Sequence, residues 1–135
     1  MPEPQSAPEA GPALIGIGID SVDVARLTAM LDRRPALLGR LWSEGERAAV
    51  ASMANPVPSL AGRFAVKEAV MKALGVGLGA FGWEDVVTSR LPGGAPSLQV
   101  SGRAATLAAA LGVKAWRVSI THTASVASAV VAALA

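Results

Sequence analysis

The chain has 135 residues, 52% hydrophobic and 16% charged, so it is long enough to bury a core and too apolar to stay disordered. Its net charge of +2 is too small to indicate nucleic-acid binding. The absence of cysteine excludes disulfides and thiolate chemistry, and no apolar run has the length of a membrane span.

Residues 1–12 are rich in proline and lack the basic and apolar regions of a signal peptide. We therefore expect a flexible tail over residues 1–12, a single domain over residues 13–135 and a cytoplasmic protein. No membrane or nucleic-acid partner is expected.

The first predicted element is a strand over residues 13–19, a run rich in isoleucine. Because side chains alternate along a strand, Gly16, Gly18 and Asp20 share one face. The two glycines leave room for a close approach by a helix or a ligand. Asp20 is either the N-cap of the next helix or a binding carboxylate, and the sequence leaves both interpretations open.

Four helices follow in the prediction. The first starts within residues 20–23 and stops before Pro35, and the others cover residues 37–41, 43–53 and 59–74. The remaining predicted elements are strands over 83–89 and 98–101, a helix over 102–111, and strands over 116–121 and 126–132. This order lacks the regular strand–helix alternation of a parallel sheet and predicts an α+β fold.

The helix over residues 59–74 carries an unusual set of charges. Lys67 interrupts an otherwise apolar stripe, Glu68 lies at its margin, and Arg63 and Lys72 lie about one turn away on either side. One interpretation is structural: Lys67 extends its stem along the core, and Glu68 and Lys72 form a surface ion pair. The other is a site for a polyanion, with the carboxylate holding a bridging Mg²⁺.

His122 is the only histidine and directly follows the predicted strand 116–121. Histidines at strand ends are commonly hydrogen-bonded structural residues. The neighbouring hydroxyl residues Ser119, Thr121 and Thr123 would equally suit a polar cleft, so both interpretations stay open.

Three segments, in their order and spacing, resemble the bacterial holo-acyl-carrier-protein synthases. They are residues 16–26 (GIGIDSVDVAR), 63–75 (RFAVKEAVMKALG) and 118–123 (VSITHT). The resemblance extends from about residue 14 to the C-terminus, and the middle segment is the most specific. It implies the 4′-phosphopantetheinyl transferase fold, in which a small antiparallel sheet packs on one long and several short helices. It also implies a homotrimer with coenzyme A bound in clefts between subunits.

The function implied by the resemblance is the Mg²⁺-dependent transfer of 4′-phosphopantetheine from coenzyme A to a serine of an apo acyl carrier protein. The products are holo carrier protein and 3′,5′-ADP. The residues it implicates are Asp20 and Glu68 as metal ligands; Glu68, Lys72 and Asp20 in catalysis; Arg63, Lys67, Lys72, Gly75 and His122 in coenzyme A binding; and Arg26, Arg33 and Arg40 in carrier-protein docking.

One departure from the family pattern is Gly94-Ala95-Pro96, where many relatives have a cation in place of Ala95. Two other functional classes are considered. The first is a non-catalytic module that binds coenzyme A or the carrier protein. The second is a structural interaction protein whose arginines bind an acidic partner.

Overall fold

A computed structural model describes Gly11 and residues 13–135. The tail predicted over residues 1–12 therefore lies, apart from Gly11, outside the described residues. The helices and strands in chain order are β1 (Leu14–Asp23), α1 (Val24–Arg33), α2 (Leu37–Leu41), α3 (Glu44–Val50), α4 (Val57–Leu74), β2 (Val86–Arg90), β3 (Pro96–Val100), α5 (Gly102–Ala110), β4 (Ala115–His122) and β5 (Val126–Leu134).

The strands form two antiparallel sheets, which confirms the α+β class. The larger has the order β1-β5-β4, and the smaller is the hairpin of β2 and β3. In the larger sheet Gly18 lies opposite Val131, which lies opposite Val118 on β4. These three residues mark the inner face of the sheet, which packs on α4.

Helix α4 passes through the centre of the molecule and is buried on almost every side. Its approach to β1 depends on the two glycines of that strand. A Cβ atom added at Gly16 or Gly18 would lie 1.9 Å from the carbonyl oxygen of Ala73 or Ala69, respectively. The glycines therefore admit a helix, which settles one of the alternatives left open by the sequence.

Several predicted boundaries were wrong, including the end of α3 and both ends of β3, and three of the errors bear on the site. Strand β1 continues to Asp23, and Asp23, not Asp20, caps α1 by accepting a hydrogen bond of 2.8 Å from the amide of Arg26. Residues Trp83–Asp85 form a 3₁₀ turn ahead of β2 instead of its first residues. Helix α4 begins at Val57, because a proline is tolerated in the first turn, where its missing N–H has no intrahelical partner.

Part of the outer face of the larger sheet, on β1 and β5, is apolar and exposed, whereas β4 contributes polar side chains to the same face. Ile17 and Ile19 on β1 are 60% and 62% exposed, and Val126 and Val130 on β5 are also exposed. The strand register places Ile19 opposite Val130, so Ile17, Ile19 and Val130 form one apolar patch, which the Ser21–Ser128 pair separates from Val126. Among the described residues, no helix combines the length and the apolar character needed to cross a bilayer.

Candidate active site

Asp20 and Glu68 line the same cavity, of about 410 Å³, between β1, α1 and α4. Asp20 lies on the inner face of β1, opposite Ala129, and this places its side chain towards α4. Glu68 lies beyond the middle of α4 and is half-buried. The cavity is also lined by Phe64 and by Arg26 of α1. Two carboxylates that are remote in the sequence thus share one cleft.

Lys72, one turn after Glu68, completes a compact group of charges. Its Nζ donates hydrogen bonds to the carbonyl oxygen of Ile19 (2.8 Å) and to Oδ1 of Asp20 (3.1 Å). The pKa of Glu68 is raised, chiefly because burial disfavours its charged form and secondly because of the negative charge of Asp20; Lys72 partly offsets both. A cation placed between the two carboxylates would relieve this repulsion.

A second cavity, of about 260 Å³, lies on the other side of Glu68. Glu68 and Lys72 supply its polar atoms, and its wall includes Met71, Leu78 and Trp83. Glu68 is therefore reached from two directions: from α1, and from the glycine-containing segment that follows α4.

Lys67 does not line either of these cavities. Its side chain is fully buried, and Nζ donates to Oε1 of Glu46 (2.8 Å) and to the carbonyl oxygens of Trp83 (2.7 Å) and Val86. Burial lowers the pKa of Lys67, while Glu46 opposes that shift. All three protons of its ammonium group already have acceptors inside the fold. The expected contact of Lys67 with coenzyme A therefore stays a prediction, and the contacts of this side chain do not supply support for it.

Glu46 is the residue that the sequence analysis missed. It is buried, and its Oε1 also accepts a hydrogen bond from the amide of Ser43 (3.2 Å), while the Ser43 hydroxyl accepts from the amide of Glu46. This reciprocal capping box at the start of α3 has a recognisable spacing, serine followed three residues later by glutamate. The motif agrees with the helix start predicted at residue 43, but nothing local indicated that this carboxylate also pairs with α4.

Arg63 and His122 lie apart from the cleft of Asp20 and Glu68. Arg63 is buried, donates to the carbonyl oxygen of Thr88, and lines a cavity of about 430 Å³ together with Arg90. Burial lowers its pKa, and Glu46 opposes that shift. His122 is the exposed last residue of β4 and lines a cavity of about 490 Å³ that also includes Arg90. Arg90 is thus, after Glu46, a second residue that the sequence analysis did not single out.

Gly75 ends α4 in the left-handed conformation, with φ of 69°, and its amide donates to the carbonyl oxygens of Lys72 and Met71. A Cβ at this position would meet no atom within 4 Å, so the glycine is explained by its backbone conformation.

The three predicted docking arginines lie on the first two helices. Arg26 and Arg33 of α1 line a cavity of about 390 Å³ together with Met30 and Arg34, and Arg40 is exposed in the last turn of α2. Arg26 and Met30 line the cavity of Asp20 and Glu68 as well. The basic face of α1 therefore continues into the carboxylate cleft.

Within the part of the chain that the structure describes, no cluster of three or more histidine, cysteine, aspartate or glutamate residues could hold a metal. Asp20 and Glu68 alone supply two hard oxygen donors. Such a pair fits Mg²⁺, which takes one or two protein carboxylates and completes its shell with water and substrate phosphate. It does not fit zinc, whose structural sites use four protein ligands.

Residues 16–132 match the family model of the 4′-phosphopantetheinyl transferase superfamily, and the chain belongs to that family. Similar proteins include the holo-[acyl-carrier-protein] synthases of Streptomyces coelicolor and Beutenbergia cavernae. The first is 48% identical over 90% of this chain and 98% of its own length, and the second is 45% identical over 89% and 97%. The resemblance inferred from the sequence is thereby confirmed.

Solved structures agree with this assignment. The Helicobacter pylori holo-[acyl-carrier-protein] synthase, solved in complex with coenzyme A, is 33% identical and has a TM-score of 0.75, covering 88% of this chain and 99% of its own. The corresponding enzyme from Neisseria meningitidis is 27% identical with a TM-score of 0.81, covering 90% and 98%.

Proposed function

We propose that this protein transfers the 4′-phosphopantetheine group of coenzyme A to a serine of an apo acyl carrier protein, giving holo carrier protein and 3′,5′-ADP. The observation that carries the proposal is the convergence of Asp20 and Glu68 on one cavity, with Lys72 beside them, in a chain of this family. The relatives that share most of its length are holo-[acyl-carrier-protein] synthases. The proposal keeps the cytoplasmic localisation expected from the sequence.

Asp20 and Glu68 are the residues that would hold Mg²⁺. The fit rests on the donor set: two close carboxylates, one of them with a raised pKa because of burial and the charge of the other. When bound, the ion would neutralise negative charge on the pyrophosphate of coenzyme A during transfer.

The side chains of the cleft suit the remaining chemistry. The serine Oγ of the carrier forms a bond to the β-phosphorus of coenzyme A, and the bond from that phosphorus to the oxygen of 3′,5′-ADP breaks. We assign Glu68 as the acceptor of the serine proton, because it lines both cavities that meet at this carboxylate. The ammonium group of Lys72 stabilises the charge that develops on the phosphate oxygens.

We assign the carrier protein to the α1 side of the cleft. Arg26 and Arg33 flank the apolar side chain of Met30 in one cavity, and Arg26 and Met30 continue into the cavity of Asp20 and Glu68. An acidic carrier bound along α1, with Arg40 of α2 as a further contact, would bring its serine to Glu68. Charge complementarity of this kind mainly accelerates encounter and fixes orientation.

The nucleotide end of coenzyme A is assigned to a cleft between two subunits of a homotrimer. Arg63 and His122 line cavities that share no residue with the cavity of Asp20 and Glu68, so one subunit presents the two halves of the predicted site separately. The exposed apolar face of the larger sheet, with Ile17 and Ile19, is the surface on which we place the subunit contact. In that arrangement Arg90 supplies a cation near Arg63 and His122, which offsets the one missing at Ala95.

The test is the mass of an apo carrier protein after incubation with this protein, coenzyme A and Mg²⁺. We expect the carrier to gain the mass of phosphopantetheine, and EDTA to prevent the gain. Glu68→Gln should slow transfer by about 10²- to 10⁴-fold, the contribution of a positioned general base, and Asp20→Asn should slow it strongly as well. Glu44→Gln and Asp32→Asn make the same changes at exposed positions and serve as matched controls.

Two outcomes would contradict the proposal. Coenzyme A binding with an unchanged carrier mass would indicate a non-catalytic binding module. Binding to acidic proteins that survives both Glu68→Gln and Asp20→Asn, without transfer by the wild type, would indicate a structural interaction protein.

The trimer is tested separately by Ile19→Glu, which places a charge on the outer face of the sheet. Sedimentation should show loss of the assembly, and transfer should fall with it, while Leu111→Glu, at an exposed leucine outside the sheet, should change neither. An unchanged assembly would move the subunit contact to another surface.

A further inference from the structure

We propose that Lys67 is a positioning residue: its buried ammonium group holds Trp83 and the start of β2 against α4, and thereby fixes the wall of the cleft that contains Glu68 and Lys72. This inference deepens the proposed function and rests on it, since it concerns how the geometry of that same site is maintained. Lys67 does not itself touch substrate in this arrangement.

The first step is the geometry of the ammonium group. Its three acceptors come from three separate elements: Glu46 from α3 (2.8 Å), the carbonyl oxygen of Trp83 from the 3₁₀ turn (2.7 Å) and the carbonyl oxygen of Val86 from β2. Lys67 belongs to a fourth element, α4. Because the side chain is fully buried, water cannot replace any of these partners, and each lost bond leaves a polar group unsatisfied.

The second step is that Glu46 is itself fixed. Its Oε1 accepts from the amide of Ser43 (3.2 Å), its Oε2 accepts from the amide of Thr88 (3.4 Å), and Nη1 of Arg63 lies 3.9 Å from the same Oε2. The network therefore joins α3, α4 and β2 through charge-assisted bonds. A buried network of this kind has one strongly preferred geometry.

The third step connects this network to the cleft. The ring of Trp83 lies 5.2 Å from that of Phe64, which lines the cavity of Asp20 and Glu68. Trp83 also lines the second cavity, together with Glu68 and Lys72. Lys67 holds the backbone carbonyl of this tryptophan, so a shift of that backbone would move the wall of one cavity and the aromatic packing behind the other. Small misplacements of this kind reduce catalysis without removing any reacting group.

A purely stabilising role is the alternative, and a double variant separates the two. Lys67→Met alone leaves the carboxylate of Glu46 buried without its partner and should be strongly destabilised. In Lys67→Met/Glu46→Gln neither side chain is charged, so the part of the loss that comes from the unpaired Glu46 carboxylate should return, and the part that does not return includes the counter-charge that Arg63 loses. The hydrogen bonds from Lys67 to the carbonyl oxygens of Trp83 and Val86 are still missing in the double variant. We therefore expect kcat to stay reduced by about 10- to 100-fold, as for other residues that orient a reacting group.

The position of Trp83 is measured independently of activity. In protein labelled with 5-fluorotryptophan, the ¹⁹F resonance of Trp83, assigned with Trp83→Phe, should shift or broaden in the double variant. Lys114→Met makes the same change at an exposed lysine and should alter neither this resonance nor kcat. Because the resonance does not depend on transfer, a failure of the proposed function is distinguishable from a failure of this inference.

If the double variant does not fold, Trp83→Leu provides the second test, because it keeps every backbone acceptor of Lys67 and removes only the positioned ring. It should reduce kcat to a similar extent. Wild-type kcat in a stable double variant, or in Trp83→Leu, would overturn the proposal. So would loss of coenzyme A binding in the double variant with an unchanged Trp83 resonance, since that result would assign Lys67 a direct contact with the ligand.

Discussion

Helix α4 carries two lysines, each paired with a carboxylate from another element, and the two pairs differ mainly in their exposure to solvent. Lys67 and Glu46 lie 2.8 Å apart and both side chains are 0% exposed. Lys72 and Asp20 lie 3.1 Å apart, with side-chain exposures of 54% and 13%. Solvent screens the second pair, whereas the first lies in a medium of low dielectric constant and cannot exchange its partners for water.

This difference in exposure matches the two roles that we propose, a structural one for the buried pair and a catalytic one for the open pair. The buried pair joins α3 to α4 and is part of the fold. The open pair costs little to separate. In the proposed function Lys72 would exchange Asp20 for a phosphate oxygen, and Asp20 would then be available to the metal ion. Two lysines five positions apart on one helix thus have different roles because only one of them faces a cavity.

Breaking the buried pair is expected to have the largest effect on stability. Glu46→Ala leaves the Lys67 ammonium without its counter-charge and should lower the free energy of unfolding by about 3–5 kcal/mol, measured by urea denaturation. Glu44→Ala, an exposed glutamate on the same helix, is the control, and its effect should stay near 0.5 kcal/mol, as is usual at the surface. A loss below about 1 kcal/mol in Glu46→Ala would mean that the buried pair is not a major support.

Breaking the open pair should give the opposite profile. Lys72→Met is expected to change the free energy of unfolding by no more than about 1 kcal/mol, since exposed pairs contribute little. The rate of transfer to the carrier protein should fall by about 10²- to 10³-fold, as when a single charge-stabilising donor is removed. Lys114→Met is the matched control. Unchanged turnover together with a large loss of stability would reverse the roles of the two lysines.

The sequence singled out Asp20, Glu68 and Lys72, but the ion pair it suggested was Glu68 with Lys72, whereas the structure pairs Lys72 with Asp20. Asp20 could be singled out because it ends a glycine-containing face of β1, and Glu68 because it lies among three cations at the margin of the apolar stripe of α4. Lys67 broke the same stripe, but its partners are a glutamate on α3 and two carbonyl groups near β2. Such partners depend on tertiary packing, which periodicity along one helix does not report.

The boundary errors have a similar origin. The residues from Asp20 to Asp23 contain two acids that could each cap a helix, and the pairing of Asp20 with Ala129 on β5 decides in favour of Asp23. The sequence analysis expected a carboxylate to cap α1 but named Asp20 for it, because the extent of β1 is set by the partner strand and not by local residues. The left-handed Gly75, by contrast, has an entirely local signal, a glycine directly after the last residue of a helix.

A smaller effect, on the Tm, is expected when one negative charge is removed from the cavity of Asp20 and Glu68. The pKa of Glu68 is raised above its ordinary value of about 4.3. A raised pKa in the folded state means that the contribution of Glu68 to stability is fully present below that ordinary value and is lost as the pH rises through the folded-state pKa. In EDTA at pH 7, Glu68→Gln should therefore have a higher Tm than the wild type, by less than the about 4 °C that 1 kcal/mol produces.

Mg²⁺ should also change the Tm. It should raise the Tm of the wild type at pH 7, and this increase should vanish as the pH falls through the raised pKa of Glu68, because protons compete with the metal for the carboxylate. Thermal scans with Mg²⁺ and with EDTA across this pH range give the measurement. An equal Mg²⁺ shift in Glu68→Gln would place the metal elsewhere.

The smallest effect, on the KM for the carrier protein, is expected where the basic face of α1 continues into the cavity of Asp20 and Glu68. Arg26→Ala keeps the backbone amide that caps the helix and removes only an exposed cation, so kcat should stay close to wild type. The KM for the carrier protein should rise about 2- to 5-fold, the equivalent of an exposed charge pair. The effect should be larger at low salt, because screening weakens exposed charges. Arg103→Ala on α5 is the matched control, and an equal rise in KM there would indicate nonspecific attraction instead of docking along α1.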